Sequence, residues 1–285
     1  MGYLFLVIAV ICLAIQNVAL KQYSKREAQG NFFLYTTLTS SFALLFFVVS
    51  SGFKLTFDMA YIPYSVGFAL AYGGSMFAYA QAIKSGSLSL SALISAYSLI
   101  IPSVYGVAFL KEKLSAVSYV GIVLLLISLF LINMNGKEEK RFSLKWVVCI
   151  VIHFIGNGMC STLQKMQQTA LDGNFKNEFM IAALLLVAVT FALTWIFTTK
   201  RGERLSSVKA CAPYSAVHGL SNGATNLLVL FLTGLLPTAI FFPSMSAGGI
   251  ITTFFVALFI YKEKLSKAQI VGFAIGVLSV VLLNL

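Results

Sequence analysis

His218, Asn222 and Asn226 recur at i, i+4 and i+8, with Ser221 and Thr225 beside them. On an α-helix that spacing lays an imidazole and two carboxamides along one face. These groups donate and accept hydrogen bonds without a fixed charge, which suits recognition of a polar or zwitterionic small molecule. They also suit a polar packing seam between helices. Three hydrogen-bonding groups in one stripe exceed what packing needs, so a cavity wall is the favoured reading. Stepping 150 residues back, the equivalent positions are Phe68, Tyr72 and Met76, followed on the same stripe by Ala80. One wall of the cavity is thus expected to be amide and imidazole, and the other apolar and aromatic.

Other polar side chains within apolar stretches join this candidate substrate site: Gln16, Asn17, Asn157, Tyr79, Tyr97 and Ser246, the last equivalent to Ser95. Lys21 and Lys165 close their stretches at near-equivalent positions, where snorkelling to the interface is the expected role. The second histidine, His153, like His218, lies near the middle of an apolar stretch. An imidazole there either carries a proton or hydrogen-bonds across helices. Nine acidic residues are present, and none falls in the interior of an apolar stretch; Glu178 stands at the very start of 177–198. A buried carboxylate relay therefore has no carrier, which favours a uniporter or exchanger over proton antiport. Glu112 and Glu263 are the deepest acids, each beside two lysines, and read as boundary clusters that fix helix ends. Pro102, Pro243 and the pair Gly248-Gly249 interrupt two matching stretches and are the expected gating positions.

No HExxH, GxSxG or phosphate-cradling loop is present, so no catalytic residue, metal or cofactor is expected, and the chain does not read as an enzyme. The four cysteines show no CxxC pair and no zinc spacing, and read as packing residues.

The elements that carry these residues follow from composition. Of the 285 residues 59% are hydrophobic and 10% charged, and mean hydropathy is +0.91. A soluble domain is about 45–50% apolar and about 25% charged. A spanning helix needs about 20 apolar residues, and ten stretches qualify: 3–22, 32–51, 63–84, 87–110, 115–135, 145–166, 177–198, 211–232, 237–261 and 266–285. The net charge of +11 lies almost wholly between them. Topology and anionic head groups explain it better than nucleic acid does. The expected fold class is an all-α integral membrane protein.

The chain also repeats itself. Lys111-Glu112-Lys113-Leu114-Ser115 recurs as Lys262-Glu263-Lys264-Leu265-Ser266, and Pro63-Tyr64-Ser65 as Pro213-Tyr214-Ser215. The domains are therefore a five-helix repeat over 1–135, a linker over 136–144 and a second five-helix repeat over 145–285. Five is odd, so the copies run in opposite directions, an arrangement of many secondary transporters.

With ten helices in two halves and the segment Phe109 to Asn133 echoed from Ile260 to Asn284, the sequence resembles the drug/metabolite transporter superfamily, in its bacterial EamA-type branch. The resemblance implies a multi-pass carrier in the inner (plasma) membrane of a bacterium, with both termini in the cytoplasm. The charge count puts 15 of the 20 Lys and Arg on the side of the loops after odd-numbered helices, and the positive-inside rule then places both termini outside. The function expected is a permease or exporter of a small polar or zwitterionic metabolite, acting by alternating access. The alternatives are a multidrug efflux carrier and a non-transporting accessory or scaffold subunit. Expected partners are a small-molecule substrate and the lipid bilayer, with the protein a monomer or homodimer.

Overall fold

The computed structural model describes residues 2–24, 31–85, 88–133, 143–200, 202, 204–260 and 266–283. Among them the chain forms eleven α-helices and no strand: α1 Gly2–Ser24, α2 Phe32–Ser50, α3 Ile62–Ser85, α4 Leu88–Tyr97, α5 Ile100–Ala108, α6 Ala116–Asn133, α7 Leu144–Ala170, α8 Lys176–Thr198, α9 Arg204–Thr233, α10 Thr238–Phe255 and α11 Lys267–Leu283. A short 3₁₀ turn, Met59–Tyr61, precedes α3, and a π-helical turn, Val256–Ile260, continues α10. The expected linker 136–144, Glu263 and its neighbouring lysines lie outside the described residues, apart from Ser143 and Leu144; so does the side chain of Lys21.

Within α1, α2, α7 and α8 lie segments long and apolar enough to cross a membrane, and Ile94–Ala108, Ala116–Ile132 and Lys267–Ser279 are shorter apolar segments. The stretch expected at 87–110 is one span in the sequence but two helices in the structure. Pro102 has no N–H to offer the carbonyl of Ser98, four residues earlier. That carbonyl accepts the Ile101 N–H instead at 3.0 Å, and the helix breaks at Ser98–Leu99. Pro243 does not break α10, which runs through it and through Gly248-Gly249 to Phe255.

The helices gather into two compact units, 3–70 with 166–234, and 71–165 with 235–285. Each draws helices from both sequence repeats. In the first, α2 packs against α8 and α9, burying Leu34, Phe47, Phe179, Met180, Leu184 and Leu230. A Cβ on Gly219 would overlap the carbonyl of Thr39, so α9 comes this close to α2 only because position 219 has no side chain. The ends are tied by side chains. Asn31 Oδ1 accepts from the Phe33 and Leu34 N–H groups at 2.9 and 3.3 Å, and its Nδ2 donates to Thr199 Oγ1 at 2.9 Å. Arg204 donates to the carbonyls of Ile196 and Thr199 at 2.6 and 3.3 Å, which complements the C-terminal end of α8. In the second unit α6 packs along α11, and Ser128 Oγ donates to the Gly272 carbonyl at 2.6 Å. The small face that Gly272 opens on α11 is thus used within the chain.

Candidate functional site

Two polar clusters lie inside the apolar helices, one in each unit. In the first unit Asn222 and Asn226 of α9 meet Gln16 of α1. Asn226 Nδ2 donates to Asn222 Oδ1 at 3.0 Å, Asn222 Nδ2 donates to Gln16 Oε1 at 3.0 Å, and Gln16 Nε2 donates to Thr225 Oγ1 at 2.7 Å. Thr225 Oγ1 then donates to the Ser221 carbonyl at 2.9 Å. The donors all run in one sense, so the bond dipoles of the chain reinforce one another. Gln16 is buried, whereas Asn222 and Asn226 are half-buried.

His218 stands on the same face but belongs to a different set of partners. Its Nδ1 lies 2.9 Å from Tyr35 Oη of α2, with the two rings edge to face at 5.7 Å. Tyr35 in turn stacks on Tyr23 at 4.1 Å. The stripe read from spacing alone is therefore two polar contacts: an amide chain toward α1 and an imidazole–phenol pair toward α2.

In the second unit the centre is His153 of α7. Its Nδ1 lies 2.8 Å from Ser75 Oγ of α3 and 3.1 Å from the Ser75 carbonyl, and its Nε2 lies 2.8 Å from Ser95 Oγ of α4. The Tyr79 ring covers the imidazole at 4.4 Å. One turn on, Asn157 Nδ2 donates to Ser98 Oγ at 2.6 Å, at the break between α4 and α5.

The remaining expected site residues fall as follows. Asn17 is exposed on α1, and Tyr72 and Met76 are half-buried on α3. Phe68 is buried in the first unit, its ring edge to face with Phe179 at 5.7 Å. Tyr97 donates to the Leu126 carbonyl at 2.7 Å, so its hydroxyl serves the packing of α4 on α6. Ser246 is buried on α10. Pro102 is buried on the third residue of α5, and the carbonyls of Gly248 and Gly249 each accept from Thr252 Oγ1. Lys165 Nζ lies 3.8 Å from Glu112 Oε1, an ion pair where snorkelling was expected. Spacing missed Tyr35, Ser75 and Ser98. For Tyr35 the run Tyr35-Thr36-Thr37 with Thr39-Ser40-Ser41 was the available signal, a hydroxyl-rich turn-and-a-half on an otherwise apolar helix.

This geometry sits on a family background. Residues 1–134 match the model of the EamA-like transporter family. That N-terminal segment is similar to an EamA-like unit. The match is consistent with the drug/metabolite transporter superfamily. A protein of known crystal structure, 15% identical, matches with a TM-score of 0.77 over all of this chain and 98% of that one, and so shares the fold. No curated protein matches the chain. The matched segment contributes Gln16 and Tyr35 to the first cluster, and Ser75, Tyr79, Ser95 and Ser98 to the second. The likeness of residues 1–134 to a transporter family and the four helices among the described residues that are long and apolar enough to cross a membrane together fit a multi-pass membrane protein.

Proposed function

We propose that the protein is a secondary transporter that carries a small polar or zwitterionic metabolite across the cytoplasmic membrane by alternating access between two oppositely oriented five-helix repeats. The carrying observation is the amide chain. Asn222 has two N–H donors and two acceptor lone pairs on its carboxamide, and the bonds to Gln16 and Asn226 engage one of each. A half-buried carboxamide with capacity to spare takes its remaining bonds from water or from a ligand. Uncharged donors and acceptors of this kind match hydroxyl, amide or zwitterionic groups and leave a bare cationic amine without a counter-charge. Gln16, Asn222, Asn226 and His218 are assigned to recognition, with Asn17 and Tyr72 at its margin. Pro102, through the break it creates, is assigned to movement. No cofactor takes part in this reading. Ten crossings, counting α4 and α5 as one, put both termini on the same side.

The test is thermal stabilisation of the purified protein across amino acids, nucleosides, sugars, their phosphates and amphipathic amines, followed by flux of the responding class in proteoliposomes. A ligand that binds only the folded state adds about 2.7 kcal/mol at 100 times its Kd. Saturable flux that Asn222→Leu abolishes supports the reading. Flux indifferent to Asn222→Leu refutes the assignment of the site, and the absence of any flux refutes transport.

A further inference from the structure

Glu112 sits on the non-helical link between α5 and α6. Its Oε1 accepts from Thr238 Oγ1 at 2.7 Å and lies 3.8 Å from Lys165 Nζ of α7, while its Oε2 accepts the Ala239 N–H at 2.9 Å. Thr238 is the first residue of α10, so the carboxylate meets the unsatisfied N–H groups and the positive end of that helix. Such an end is ordinarily capped by a short polar side chain just before the helix. Here that position is Pro237, which offers no acceptor. The cap arrives instead from more than a hundred residues earlier in the chain, so the start of α10 is satisfied only while the end of α5 lies against it.

The surroundings are shaped to admit the carboxylate. A Cβ on Gly106 would overlap Glu112 Oε2 and would lie 3.0 Å from Thr238 Cβ. The Glu112 N–H donates to the Gly106 carbonyl at 3.1 Å, and Lys111 holds a left-handed φ of 55°, uncommon for a residue with a side chain. The Glu112 side chain is only 13% exposed. At the opposite end of α5 lies the Ser98–Leu99 break. A helix of nine residues, Ile100–Ala108, thus has a discontinuity at one end and this contact at the other, and it packs along α10 between them.

We propose that Glu112 is a positioning residue of the transport cycle: it clamps the end of α5 to the start of α10 in this conformation and lets go when α5 swings about the Ser98–Leu99 break. The inference rests on the transport reading above. Hinges of this kind sit at element ends and absorb backbone rotation.

A reversible covalent clamp tests it. In Gly106→Cys/Glu112→Ala/Thr238→Cys, with the four native cysteines replaced by serine, the new β-carbons stand close to the roughly 3.5–4.5 Å that a disulfide spans. Flux is followed in proteoliposomes for a compound that stabilises the wild-type protein. The oxidised protein is expected to bind that compound but carry it about tenfold more slowly or worse, with dithiothreitol restoring the rate. Equal flux in the oxidised and reduced forms overturns the clamp and leaves the transport reading standing. If the triple variant does not fold or cross-link, Glu112→Gln decides. A weakened clamp moves the half-saturating concentrations measured from the two faces in opposite directions, by about threefold, whereas a purely structural loss lowers yield and moves neither. Unmoved values overturn the clamp. A wild-type protein that binds the compound and carries none of it overturns the transport reading, and the clamp with it.

Discussion

Thr225 in the first unit and Ser75 in the second stand 150 residues apart, at matching positions of the internal repeat. Each hydroxyl is bonded by a polar side chain from a neighbouring helix, Gln16 at 2.7 Å in one and His153 at 2.8 Å in the other. The resemblance ends there. His153 is 1% exposed, has a hydroxyl on each ring nitrogen and carries Tyr79 over its face. Nothing on that imidazole is left for another molecule. The Gln16 chain instead runs out to the half-buried carboxamide of Asn222, which engages one donor with Gln16 and one acceptor with Asn226 and has capacity for a guest. A saturated buried polar group pins helices, because removing it strands its partners without water. An unsaturated one at the edge of a cluster can exchange partners, which is what a binding site requires. The same repeat position thus serves as a pin in one unit and as the root of a recognition site in the other.

The contrast breaks most visibly at the pin. His153→Ala leaves Ser75 and Ser95 without their partner and opens a cavity beneath Tyr79, so unfolding stability should fall by about 3 kcal/mol. Denaturant unfolding in detergent measures this, and a variant as stable as wild type would erase the distinction. Gly219→Ala should cost about 1–3 kcal/mol by forcing α9 away from the Thr39 carbonyl. If its melting temperature is unchanged, α2 does not hold α9 rigidly behind the amide chain. Asn222→Leu should behave in the reverse way. Its stability should stay within about 1 kcal/mol of wild type, while apparent ligand affinity falls by about tenfold or more. A variant that loses stability and keeps its ligand would turn the amide chain into a second pin.

The all-helical class, the approximate place of most helices and the polar spacing along α9 were legible from the sequence, because apolar run length and i, i+4 spacing act locally, whereas the split of 87–110 into α4 and α5 was not. The stripe's division between Gln16 and Tyr35 was not, since it depends on which neighbouring helix each side chain meets. Phe68 illustrates the same limit. Its repeat equivalence to His218 suggested a cavity wall, yet the ring is buried against Phe179. Pro102 was visible as a breaker, but its equal in kind, Pro243, leaves α10 intact. A proline removes one donor in either case, and whether the helix breaks depends on what the freed carbonyl finds. Nor do the compact units coincide with the sequence repeats, because a repeat records the order of helices and says nothing of their partners in space. Glu112 was legible as an acid at a helix boundary, while its role as the cap of α10 required knowing that Thr238 lies beside it.

The finest test exchanges the two equivalent hydroxyl residues. Thr225→Ser keeps the oxygen that accepts from Gln16 and removes one methyl from a site that is 8% exposed; about 0.8 kcal/mol per buried methyl-sized group bounds the loss. Ser75→Thr adds a methyl where exposure is 1% and where α7 passes so close that a Cβ on Gly156 would lie 3.0 Å from Ser75 Cβ. Overpacking such a site costs about 1–3 kcal/mol. The larger loss should therefore fall on the second unit, although that substitution adds apolar surface and the other removes it. Thr225→Val separates packing from hydrogen bonding. It keeps the shape but removes the shortest bond of the Gln16 amide, leaving it the Cys12 and Ser221 carbonyls at 3.4 Å, so it should cost more than Thr225→Ser and should weaken ligand stabilisation through the disturbed amide chain. If Ser75→Thr proves as mild as Thr225→Ser, the histidine cluster has the same slack as the amide cluster, and its claim to be only a pin falls.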